Sequence, residues 1–119
     1  MEGLSVREVP CDLENTVILA PAGTIDSSTA QVLESEFDKF IRRKQTRIVV
    51  DLSKVVFISS AGVGIFLGTA STLRSLHGDL IFMSIPEHVA EVLDIINVRS
   101  YFASVSGIEE LTTLDKART

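Results

Sequence analysis

Apolar and polar residues alternate from Leu4 to Val9, the period of a half-exposed strand, and Pro10 limits its extension as it would at a sheet edge. Thr16 to Ala20 predicts a second strand, joined to the first by the polar turn Asp12 to Asn15 and broken by Ala22-Gly23. At Asp26-Ser27-Ser28 the period changes to that of a helix. Ser28 and Gln31 have the spacing of a capping box, and Ala30, Leu33, Phe37, Phe40 and Ile41 share one face through to about Arg43. Arg47 to Asp51 predicts a third strand, apolar on both faces and therefore central. A short apolar ledge, Val55 to Ile58, leads into a second helix from about Ser60 to His77. Its buried stripe is Val63, Phe66, Leu67, Ala70 and Leu73, and Gly78 is placed to close it. Asp79 to Ser84 predicts a fourth strand. Pro86 opens a third helix with the stripe Val89, Val92, Leu93 and Ile96. Tyr101 to Val105 reads as a fifth strand, and Ile108 to about Lys116 as a last amphipathic helix.

Strands that alternate with helices pair mostly in parallel, through right-handed crossovers. The sequence therefore predicts one α/β domain over residues 1–119, with its core at about 4–114. A mostly parallel central sheet of about five strands packs with about four α-helices. A chain of 119 residues suits a single domain, and its 45% hydrophobic content supports a core. No apolar run approaches the ~18 residues of a membrane span, and no secretory signal opens the chain. With Cys11 as the only cysteine, these features point to a cytoplasmic protein without disulfides. The net charge of −5 argues against nucleic-acid binding, and the basic cluster Arg42-Arg43-Lys44 with Arg47 complements a helix C-terminus. His77 and His88 lack a second ligand at metal spacing. Gly62-Val63-Gly64 lacks the ending of a P-loop, and no catalytic set can be assembled. No enzyme, metal or cofactor is expected.

The chemistry gathers between Asp51 and Gly68. Ser59 and Ser60 stand directly before a helix that opens with Ala61-Gly62, where free backbone N–H groups favour negative charge. A serine there can cap the helix. It can also carry a phosphoryl group without local penalty, and phosphorylation would add about −1.5 to −2 charge. A docking surface built for a bare hydroxyl would not accept that dianion. Gly64 and Gly68 lie four apart, and each costs about 1 kcal/mol relative to alanine inside a helix. The cost points first to close packing against the sheet, and second to a face kept bare for a partner. Asp51, at a strand end, is placed to fix the following turn through its own backbone.

The run Asp51-Leu-Ser-x-Val-x-Phe-Ile-Ser-Ser-Ala-Gly-Val-Gly-Ile-x-Leu67 resembles the signature of STAS domains, the family of bacterial anti-sigma factor antagonists. Ala22-Gly23-Thr24-Ile25-Asp26 is similar to the family's Gly-x-Ile/Leu-Asp segment, and the resemblance covers about residues 4 to 114. It implies partner switching. The unphosphorylated antagonist binds an anti-sigma factor, usually also a serine kinase, and a sigma factor is released. Phosphorylation of a serine breaks that complex, and a phosphatase restores it. Position by position, Ser60 falls on the phosphorylated serine, with Ser59 the fallback, and Asp26 on an acidic residue that faces the kinase. The implied docking face comprises Asp26, Ser27, Ser59, Ser60, Ala61, Gly62 and Gly64. Ser59 departs from the pattern, standing where the family usually has aspartate. The resemblance also admits a second role, an unphosphorylated STAS subunit that serves as an interaction scaffold in a signalling or transport complex. Neither role involves nucleic acid or membrane.

Overall fold

Period-two alternation in the three central strands sorts their side chains into two cores. Val17 and Leu19, Ile48 and Val50, and Leu80 and Phe82 face one side of the sheet; Ile18, Val49, Ile81 and Met83 face the other. Burial on both faces explains why these strands read as continuous apolar runs. A computed structural model describes residues 3–111. Its elements run β1 (Leu4–Val9), β2 (Thr16–Ile25), α1 (Ala30–Arg42), β3 (Arg47–Asp51), β4 (Val55–Ile58), α2 (Ser60–Ser75), β5 (Asp79–Met83), α3 (Glu87–Ile96), a 3-10 turn (Arg99–Tyr101) and β6 (Ala103–Val105).

The strands form one six-stranded sheet in the order β1-β2-β3-β5-β6, with β4 also paired to β2. Among the described residues, only the β1–β2 pair is antiparallel. The larger core lies under α1, α2 and α3, where Phe37, Phe66, Phe82 and Phe102 make successive ring contacts with centroids 6.0, 5.0 and 4.5 Å apart. The smaller core on the opposite face includes Val105 and Leu111, the latter in a helical segment at 108–111. The rest of the last expected helix lies outside the described residues. Among those described, no helix is long and apolar enough to cross a membrane.

Five local expectations are corrected. First, β2 does not break at Ala22-Gly23 but continues to Ile25. Gly23 permits this by taking φ 117°, and a Cβ there would lie only 2.2 Å from the Gly3 carbonyl oxygen. Second, the apolar ledge at Val55–Ile58 is a sixth strand. Third, Tyr101 belongs to the 3-10 turn, so the last strand starts at Ala103. Fourth, Gly78 accompanies the end of α2 but is not its left-handed residue; His77 takes that role at φ 66°. Gly78 is required because a Cβ would sit 1.8 Å from the Thr46 carbonyl oxygen. Fifth, Gly64 and Gly68 do not pack against the sheet. A Cβ at either position would meet nothing within 4 Å, and both are exposed.

Candidate functional site

Two parallel strand ends build the site. Ile25, the last residue of β2, pairs with Ile58, the last of β4, and the Ser59 N–H donates to the Ile25 carbonyl at 2.9 Å. Asp26 therefore follows one strand and Ser59-Ser60 the other, side by side at the same edge of the sheet. The first turn of α2 is held down on this junction by Gly62, which is buried. A Cβ on it would lie 2.6 Å from Ile25 Cγ2 and 3.0 Å from the Ile25 carbonyl oxygen, so only glycine permits the approach.

The two serines differ in what their hydroxyls do. Ser59 is the N-cap of α2, in extended backbone, and its Oγ accepts from the Gly62 N–H at 3.3 Å. An aspartate at this position would offer the same kind of acceptor, so serine preserves the cap without the charge. Ser60 is the first helical residue, exposed, and its hydroxyl makes no hydrogen bond among the described residues. No acidic side chain occupies the first turn of α2, leaving its positive end uncompensated.

Asp26 closes the turn into α1. Its Oδ1 accepts from the Ser28 hydroxyl at 2.6 Å, the Ser28 N–H at 2.8 Å and the Thr29 N–H at 3.2 Å, while its own N–H donates to Thr29 Oγ1 at 2.9 Å. The capping box expected from Ser28 and Gln31 does not form: Thr29 is the N-cap residue, without a side-chain cap bond of its own, the Asp26 carboxylate fixes the turn before the helix, and the Asp26 backbone carbonyl accepts from the Ala30 N–H at 2.8 Å. The Ser28 hydroxyl, followed by its N–H, holds the Asp26 carboxyl below its ordinary value of 3.8. Such a lowered group contributes stability at pH values above its unfolded value, and the contribution is lost as pH falls through the folded one. A carboxyl-detected NMR titration should give Asp26 a midpoint below 3.8, and Ser28→Ala should move it upward toward 3.8. A midpoint indifferent to Ser28 would contradict this assignment.

Sequence reasoning missed an apolar part of the same edge. Gly23 pairs with Val55 but Thr24 pairs with Phe57, so Val56 is an extra residue in β4. The irregularity breaks the alternation and turns two consecutive apolar side chains outward: Val56 is 70% exposed and Phe57 51%. Only strand pairing could have exposed this; nothing in the residue types signals it. Of the predicted site residues, Ser27, Ser60, Ala61 and Gly64 are exposed, Asp26 and Ser59 are half-buried, and Gly62 lies beneath the face. Asp51 fixes its turn as expected, its Oδ1 accepting from the Ser53 N–H at 2.9 Å. His88 ties α3 to β4 through a 3.0 Å contact between Nε2 and the Val55 carbonyl oxygen.

Comparison with known proteins gives a consistent picture. Residues 11–113 match the family model of the STAS domain. A protein of Bordetella bronchiseptica named BtrV, described as a candidate anti-sigma factor antagonist, is 32% identical over 97 residues, covering 82% of this chain and 84% of that protein. The anti-sigma factor antagonist SpoIIAA in its unphosphorylated form superposes with a TM-score of 0.78 at 18% identity, covering 94% of this chain and 97% of that one. The phosphorylated form of SpoIIAA, a Bacillus cell fate determinant, gives 0.70 at 17% identity, with 92% and 99% covered.

Proposed function

The chain belongs to the STAS domain family, and from that premise we propose that it is an anti-sigma factor antagonist switched by phosphorylation of Ser60. It acts by binding rather than catalysis. Unphosphorylated, it docks on an anti-sigma factor that is also a serine kinase, and a sigma factor is set free in the cytoplasm. Phosphorylated, it lets go, until a phosphatase removes the group.

One observation carries the choice of residue: the Ser60 hydroxyl is exposed and unbonded, whereas the hydroxyl of Ser59 is engaged as the helix cap. The docking face runs from Asp26 and Ser27 across Ser59, Ser60 and Ala61 to Gly64, with Gly62 seating the helix under it. Val56 and Phe57 add an apolar margin. An ionised Asp26 offers a partner cation its charge, and the bare Ser60 hydroxyl offers a flat contact beside it. A phosphate at Ser60 would be tolerated by the helix N-terminus but would bring a dianion into the interface.

Incubation with ATP and the cognate anti-sigma kinase, followed by mass-spectrometric mapping, should find one phosphate, on Ser60. Phosphate on Ser59 would transfer the switch to the capping serine. No phosphate on either would leave the scaffold role as the reading of this chain.

A further inference from the structure

A single exposed apolar side chain carries little meaning, since much of any folded surface is apolar. Val56 and Phe57 differ because an irregularity in the strand is what exposes them. Strict alternation from the buried Val55 would turn Phe57 into the core and leave only Val56 outside. The extra residue in β4 instead returns the strand to the core at Ile58, so both residues between stay out, 70% and 51% exposed. Both ends of this segment are fixed, with Val55 and Ile58 each only 2% exposed. The Val55 carbonyl oxygen meets His88 Nε2 at 3.0 Å, and the Lys54 carbonyl accepts from the Gly23 N–H at 3.1 Å. Beyond Ile58, the Ser59 N–H is held by the Ile25 carbonyl. The phenyl ring therefore stands on a preset strand, and its burial by a partner would carry little ordering cost.

Its place in the register decides what would cover it. Phe57 stands level with Thr24 and Ile58 with Ile25, and the next residues along the two strands are Ser59 and Asp26. The apolar pair thus runs directly into the proposed docking face, whose occupant is the anti-sigma factor. We propose that Phe57, with Val56 beside it, is the apolar anchor of that contact. It seats in a hydrophobic socket of the anti-sigma partner, with a basic side chain at the rim for Asp26. This rests on the antagonist reading and names the chemistry of the partner's surface. Burial of the ring supplies affinity and excludes water from the border of the Ser60 contact. A phosphate on Ser60 then has to be desolvated beside an apolar seal, so the anchor sharpens release on phosphorylation rather than opposing it. A second copy of the chain suits the socket less well, because it would bring together two chains of net charge −5.

The test is calorimetric titration of the purified cognate anti-sigma kinase with the unphosphorylated parent, Phe57→Thr, Val56→Thr and Ile95→Gln. Threonine keeps a β-branched residue in the strand, and Val56→Thr alters a side chain that is 70% exposed, so circular dichroism should show parent-like folds. Phe57→Thr should weaken binding by about tenfold or more and make the heat-capacity change of binding less negative, the mark of lost apolar burial. Val56→Thr should weaken it by about threefold, and it carries the test should Phe57→Thr lose the native spectrum. Ile95 is 83% exposed and lies about two turns along α3 from His88, outside the proposed face; Ile95→Gln should bind like the parent. Parent-like affinity in the folded strand variants would overturn the anchor and leave the antagonist reading standing. An equal loss in Ile95→Gln would make the effect one of general surface hydrophobicity and overturn the anchor as well. A parent that does not bind would overturn both readings. A parent dimer that Phe57→Thr dissociates would give the ring to a second copy and overturn the proposal.

Discussion

Replacing Ser60 with aspartate should leave the fold at least as stable as the parent while weakening the anti-sigma complex by more than about a hundredfold. The two halves of that result have separate causes. Ser60 opens α2, whose first turn carries no acidic side chain, so a carboxylate there meets free N–H groups and the positive end of the helix. That interaction is worth about 0.3–1 kcal/mol in favour of folding. In the complex the same charge has to be desolvated against a surface shaped for a neutral hydroxyl, and about 3 kcal/mol of lost binding suffices for the hundredfold change. Ser60→Ala is the matching control. Its lost hydroxyl has no hydrogen bond among the described residues to forfeit, so it should fold and bind like the unmodified parent and be blind to the kinase. Calorimetric titration of both variants, alongside thermal melts, checks the pair. Equal affinities for the aspartate and alanine forms would place the docking surface elsewhere.

Phe66→Ala should be the most damaging substitution for stability, costing about 3–5 kcal/mol. The ring is fully buried on the inner face of α2 and lies between Phe37 of α1 and Phe82 of β5, with centroids 6.0 and 5.0 Å away. Removing it opens a cavity where both helices meet the sheet, and neighbouring rings cannot close it without leaving their own contacts. For a domain of this size the melting temperature should drop by roughly 10–20 °C. A cost below about 1 kcal/mol in urea melts would mean that α2 is not anchored through this ring. Because α2 carries Ser60, the loss should appear in partner binding as a reduced folded fraction.

Elements with strong period were legible in the sequence: the alternating β1, the doubly buried β3 and β5, and the one-sided stripes of α1 and α2. So was the start of α2, where the proposed site lies, because two serines before an apolar, glycine-opened helix define an N-terminus without further help. What escaped depended on contacts between distant residues. Four residues, Val55–Ile58, are too few for a period, and the extra residue in β4 erased what alternation they had. Gly23 resembled a break because its use is set by Gly3 across the β1–β2 pair. Ser28 had the spacing of a cap, but Asp26 two residues earlier takes the Ser28 hydroxyl and the Ser28 and Thr29 N–H groups, and the helix starts only at Ala30. Gly62, Gly64 and Gly68 look alike in sequence, and only the fold separates the one pressed onto Ile25 from the two that face open space.

The central claim is that a single phosphate on Ser60 decides whether the partner stays bound. Calorimetric titration of the anti-sigma kinase with the parent, and with the same protein repurified after phosphorylation on Ser60, tests it most directly. The account predicts a Kd at least about a hundredfold weaker for the phosphorylated protein, with an unchanged circular dichroism spectrum. The same Kd for both forms would contradict it.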